Sequence, residues 1–247
     1  MFKRAFSIML LLPLFGAGNG KQYTVPQWGQ NPHALATITF TRNCYIPGNT
    51  SPYTTTGKDS SGAKLIIFEF SFSPPVSPIY TVTDSVGGNN NGTATSLTAY
   101  GSAAASISNL QYYAAPTYTG TGHTFTFTKS GSPNFLQVCV TFVYGVNGTY
   151  DAGTDHGYYV GTGTTCQPSA TTNPGTGQHF VDFIASSAAS GTQTVNSPFT
   201  LDKSLPLVGG TAYALGVAHD IETGATGLQP TMSGLAPGVS CAIASWN

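Results

Sequence analysis

Acidic and imidazole side chains are scarce in this chain, and they fall in groups. Nine Asp and Glu and five His occur among 247 residues. His219-Asp220-Ile221-Glu222 is the densest group. Asp151, Asp155 and His156 form a second, and His179 with Asp182 a third. Two carboxylates and an imidazole are the parts of an acid–base hydrolase. No GxSxG or HExxH signature accompanies them, so spacing alone leaves these residues as solvated loop positions. Asp151 and Asp155 lie four apart in a stretch that contains glycine. Loop carboxylates and carbonyls of this kind suit Ca²⁺, a hard cation that takes six to eight oxygens. Asp84 with Asn89, Asn90 and Asn91 is a second calcium candidate, although Asp84 more simply closes a turn on its own backbone. No other cofactor is expected.

The aromatic residues offer a different chemistry. Tyr112, Tyr118, Tyr158, Tyr159 and Trp28 are the candidate ligand-binding residues, since exposed Tyr and Trp present an apolar face with a polar handle. Neighbouring residues of a strand point to opposite faces. If one face of the strand carrying Tyr112-Tyr113 is core, at most one of that pair is exposed. Three Asn-x-Ser/Thr triplets begin at Asn49, Asn91 and Asn147. In a chain so rich in Asn and Thr, such triplets arise by chance.

Four cysteines, Cys44, Cys139, Cys166 and Cys241, complete the reactive inventory. Their even number fits two disulfides in an exported protein, and three pairings are open. No cysteine or histidine stands at zinc-ligand spacing from another.

The elements that must position these residues are strands. Period-two alternation recurs in ATITFTR (36–42), KLIIFEFSF (64–72), YTVTD (80–84), 106–113, HTFTFTK (123–129) and FLQVCVTFVY (135–144). It returns in FVDFIA (180–185), TAYALGVA (211–218) and VSCAIASW (239–246). In 64–72, Leu65, Ile67 and Glu69 face one way, and Ile66, Phe68, Phe70 and Phe72 the other. Gly, Pro, Asn and Ser separate the runs, as turns require. Helical signals are nearly absent, with AAASISNL (103–110) read as strand or loop over a short helical turn, and no clear internal repeat is legible. The expected fold is all-β, a single large antiparallel β-sandwich of jelly-roll-like form, with two small sandwiches divided near residue 165 as the alternative. Residues 21–60 would supply its N-terminal strand and loop region, and 61–247 its core.

Composition and the leader place the chain. Lys3 and Arg4 precede an apolar stretch from Ala5 to Ala17, and small residues follow it. That is the form of a secretory signal peptide over 1–20. The stretch is short of the roughly 20 residues of a spanning helix. Only 7% of residues are charged, against roughly 25% in ordinary domains. A surface of hydroxyls, amides and Tyr suits a secreted or cell-surface protein, periplasmic or extracellular. Without 1–20, six scattered Lys and Arg remain. They are too few for the phosphate-neutralising patch that nucleic-acid binding needs.

The run KLIIFEFSF, YTVTDSVGG, QYYAAPTYTGTGHTFTFTKSG, FLQVCVTFVYG and SCAIASW resembles a loose family of secreted bacterial and phage-associated β-sandwich surface domains. The resemblance covers roughly residues 60–247. The family's V-TDS-GN turn ends in an aromatic residue, which Val86-Gly87-Gly88-Asn89 lacks. The resemblance implies a jelly-roll-like or Ig-like sandwich at a surface or in a secreted assembly, tied to no one activity.

The expected function is an exported, non-enzymatic binding or adhesion module for an extracellular glycan or protein. A structural subunit of an extracellular or virion assembly, self-associating through its edge strands, is the alternative. A secreted glycan-active hydrolase is the third reading.

Overall fold

A computed structural model describes residues 37–72, 80–85, 95–99, 107–129, 136–147, 156–169, 177–188, 190–206, 213–223 and 227–247. The leader, Trp28, Asp151, Asp155 and Asn89–Asn91 lie outside the described residues. Every regular element among the described residues is a strand. The first eight are β1 (Thr39–Gly48), β2 (Tyr53–Thr54), β3 (Leu65–Phe72), β4 (Tyr80–Asp84), β5 (Thr95–Ala99), β6 (Ile107–Ala114), β7 (Phe125–Lys129) and β8 (Leu136–Tyr144). The others are β9 (His156–Gly161), β10 (Gln178–Ser187), β11 (Ser190–Val195), β12 (Thr200–Leu205), β13 (Ala214–Thr223), β14 (Met232–Leu235) and β15 (Val239–Trp246). No helix among them is long and apolar enough to cross a membrane.

The strands form four antiparallel sheets. Two large ones have the orders β1-β8-β3-β6-β5 and β12-β13-β10-β15-β9. Two small ones are β2-β7-β4 and β11-β14. Side-chain alternation explains how they stack. On β3, Leu65 and Ile67 join a core shared with Phe180, Ile184, Leu215, Val217 and Trp246 of the second large sheet. The opposite face of β3, Ile66, Phe68, Phe70 and Phe72, packs on Val82, Phe125 and Phe127 of the first small sheet. On β10 the odd-numbered Val181, Phe183 and Ala185 turn instead to Phe199, Met232 and Leu235 beside the second small sheet. The result is a β-sandwich of four layers, small–large–large–small. The central strands read as unbroken apolar runs because both of their faces are buried. Each fully buried Phe contributes about 1.5–3 kcal/mol relative to exposure.

The sandwich is doubled. Read from β9, the second large sheet runs β9-β15-β10-β13-β12, which matches β1-β8-β3-β6-β5 strand for strand within each half. β4 pairs with β7 as β11 pairs with β14. β2 pairs with β7, and in the second half Cys166 makes the equivalent bridge to Met232 on β14. Each half therefore follows a jelly-roll-like order, in which the first strand lies beside the last. Each half also carries its own disulfide. Cys44–Cys139 joins paired residues of β1 and β8, and Cys166–Cys241 ties the segment after β9 to β15.

Candidate functional site

The rims of the two large sheets meet where β1 lies against β12, and a guanidinium spans them. Arg42 on β1 has a side chain only 3% exposed. Its Nε donates to Thr141 Oγ1 on β8 at 2.7 Å and to Glu69 Oε1 on β3 at 3.3 Å. Its Nη2 donates to Asp182 Oδ1 on β10 at 2.5 Å, and its Nη1 to Asp202 Oδ2 on β12. Asp202 Oδ1 also lies within hydrogen-bond distance of His219 Nδ1 on β13, at 2.8 Å. The His219 ring clusters with Phe40, 4.4 Å away, and Phe180, nearly parallel to it at 6.2 Å.

Local structure explains the convergence. Asp182 and His219 are direct cross-strand partners. The register of β12 against β13 slips between Leu201 and Lys203, so Asp202 is the extra residue of a β-bulge. A bulge re-aims a side chain that a regular strand would send elsewhere. Here it brings Asp202 onto both Arg42 and His219.

Three carboxylates around one guanidinium cannot all stay charged at low cost. Burial drives the Glu69 pKa well above its ordinary value, Asp182 adds to the shift, and Arg42 and Thr141 oppose it. Burial also raises Asp182 to about 6 against the pull of Arg42. Glu69 Oε2 and Asp182 Oδ2 are buried without a hydrogen-bond partner, which favours the neutral acid. For Arg42, burial acts to lower the pKa, but Asp182, Glu69 and Asp202 outweigh it and hold the group above its ordinary value. Glu69 and Asp182 are closed from solvent, while Asp202 and His219 keep 15% and 18% of their side chains exposed. Among the described residues, no group of three or more His, Cys, Asp or Glu is arranged to hold a metal ion.

Of the acidic and histidine residues expected in solvated loops, His156, His179, Asp182, His219, Asp220 and Glu222 are instead on paired strands. His179 and Asp182 lie buried on β10, and His219, Asp220 and Glu222 lie on β13. Glu222 is raised to about 7, first by its hydrogen bond with Asp220 and then by burial. Asp84 ends β4 and faces His123 at 3.8 Å. Arg42, Glu69, Thr141 and Asp202 were not among the residues singled out by spacing. Glu69 did carry a signal: it is a lone charge on one face of an otherwise apolar strand, and such a charge must be paired.

The tyrosines divide. Tyr112 and Tyr113 are both buried, because β6 has core on each side. Tyr112 meets Trp246 edge-on at 5.5 Å, and the Tyr113 hydroxyl donates to Val82 O at 3.0 Å. Tyr118, in the loop after β6, is 43% exposed. Tyr158 and Tyr159 are 54% and 41% exposed although they are sequence neighbours on a strand. β9 is the outer strand of its sheet, so side chains at this rim extend past the core into solvent. Tyr159 lies back along the strand over Gly161, where a side chain would collide with its ring. The strand is held by its ladder to β15, by Ser169 N–H donating to Tyr158 O at 3.4 Å, and by the Cys166–Cys241 disulfide beside it. The chain matches no protein-family model, no curated protein and no solved structure.

Proposed function

We propose that the chain is an exported, non-enzymatic binding module that engages a glycan at the β9 edge. The observation that carries this reading is the adjacent pair Tyr158 and Tyr159, both exposed on a strand whose backbone is fixed. Two exposed rings at one edge offer apolar faces for sugar C–H groups and hydroxyls for their oxygens. Holding the rings in place before binding reduces the entropy lost on association. Two disulfides and a 7% charge content accord with life outside the cell. The most concentrated acid–base chemistry is tied up with Arg42, and its Glu69 and Asp182 carboxyls are shut away from any substrate.

A glycan array tests the proposal. The native protein should bind a subset of sugars. Tyr158→Ala/Tyr159→Ala should weaken that binding about tenfold or more with an unchanged thermal midpoint, since both side chains are on the surface. An array that stays blank, or binding that the double variant leaves intact, would overturn it.

A further inference from the structure

The opposite rim of the second large sheet carries another feature. Over Arg42, where β1 approaches β12, lies a groove of about 320 Å³ lined by Asn43, Tyr45, Lys58 and Lys203 among others. Three of the chain's eight Lys and Arg residues line this one groove. Arg42 forms its floor, and its charge is committed to Glu69, Asp182 and Asp202. Lys58 and Lys203 form no ion pair among the described residues. In a chain with so few charges, two lysines that form no ion pair among the described residues line one groove, and an anion there would interact favourably with both.

The groove is built rather than incidental. The Lys58 backbone exchanges two hydrogen bonds with the buried His123, at 2.9 and 2.8 Å. His123 is fixed in turn by Ser60 Oγ at 2.7 Å. Lys203 follows the bulged Asp202, so the slip that turns the carboxylate inward also places Lys203 along the groove. The Tyr45 ring packs at 6.1 Å from Tyr53, and its hydroxyl donates to Thr56 O at 3.5 Å. Tyr45, Asn43, Lys58 and Lys203 therefore line one small concavity. Its volume lies at the lower end of the roughly 300–1,000 Å³ typical of ligand pockets. That size suits a sugar ring better than a folded peptide segment.

We propose that this groove binds an anionic glycan: a sugar whose ring stacks on Tyr45 and whose carboxylate or sulfate sits between Lys58 and Lys203, with Asn43 on its hydroxyls. The site is separate from Tyr158 and Tyr159 and does not depend on them.

Isothermal titration of the full chain tests it with four probes: oligogalacturonate, a sulfated heparin oligosaccharide, neutral cellohexaose and a poly-glutamate peptide. At least one of the two anionic sugars should bind, more weakly as salt is raised, because exposed charge pairs are screened. Which of them binds distinguishes a carboxylate-bearing from a sulfate-bearing ligand. Lys58→Ala and Lys203→Ala should each weaken that binding about fivefold or more, and the pair together should remove it. Tyr158→Ala/Tyr159→Ala should leave it unchanged, which separates this site from the β9 edge. The proposal is overturned if neither anionic sugar binds, or if cellohexaose or poly-glutamate binds as tightly. It is equally overturned if the lysine variants bind like the native chain.

Discussion

Asp182 shows how a single side chain can tie stability to pH in this protein. Burial raises its pKa to about 6, against about 4 in the unfolded chain. The folded state therefore holds a proton that the unfolded state releases between those values. Stability from this group is fully present below about pH 4 and is lost as pH rises through about 6. Glu69 is shifted in the same direction. Urea midpoints measured from pH 4 to 7 should fall for the native chain and fall less steeply for Asp182→Asn, which cannot ionise. Equal slopes in the two proteins would mean that Asp182 is already charged at the lower pH. Removing Arg42 is a harsher change, because it strands buried carboxyls without their partner.

At the scale of elements, close approach between layers is set by residues with almost no side chain. Gly216 on β13 lies beneath the second small sheet. A Cβ added there would fall on Met232 Sδ and lie 2.7 Å from Gln193 Oε1. Met232 is itself fully buried, so it has little room to retreat. Gly216→Ala should cost about 1–3 kcal/mol in chemical denaturation, the range for overpacking a core. Adding Met232→Ala should return part of that loss, since it removes the colliding atoms. If the second change only adds to the first, the collision is not the cause. Gly161 has the matching role on β9, where it leaves room for the Tyr159 ring.

For the whole molecule, the decisive surface is the face between the two large sheets. Each disulfide lies within one half, so none links the halves. What joins them is the shared core around Trp246, the Arg42 cluster and a group of buried serines. Ser108 Oγ donates to Ser240 O at 2.9 Å and meets Ser186 Oγ at 3.2 Å, and Ser71 Oγ donates to Ala214 O. Every one of these contacts crosses between halves or satisfies a polar group inside the seam. Calorimetry should accordingly show one transition, with calorimetric and van't Hoff enthalpies in agreement. Two separated transitions would mean that each jelly-roll-like half is stable alone and that the seam is weak.

How much of this was legible depended on where the information resides. Nine strand segments could be read because alternation records itself in the residues: KLIIFEFSF shows both of its faces, and β3 uses them as read. β2, β5, β9, β11, β12 and β14 were missed because YT, TSLTA, HGYYVG, SGTQTV, TLDKSL and MSGL are short, polar or bounded by glycine. Such strands are defined by the neighbour they pair with and not by their own pattern. The cysteine count suggested two disulfides, but their pairing awaited strand register, which sets Cys44 opposite Cys139. The doubled topology has no counterpart in residue identity, because two sandwiches can share a strand order while sharing no motif. Local alternation thus determined that the chain is all-β and which side chains share a strand face. Only the tertiary structure decided what those faces meet, and so which charges pair, which tyrosines stay outside and where the two lysines converge. Those outcomes depend on contacts between residues up to 160 positions apart, a separation that no local pattern records.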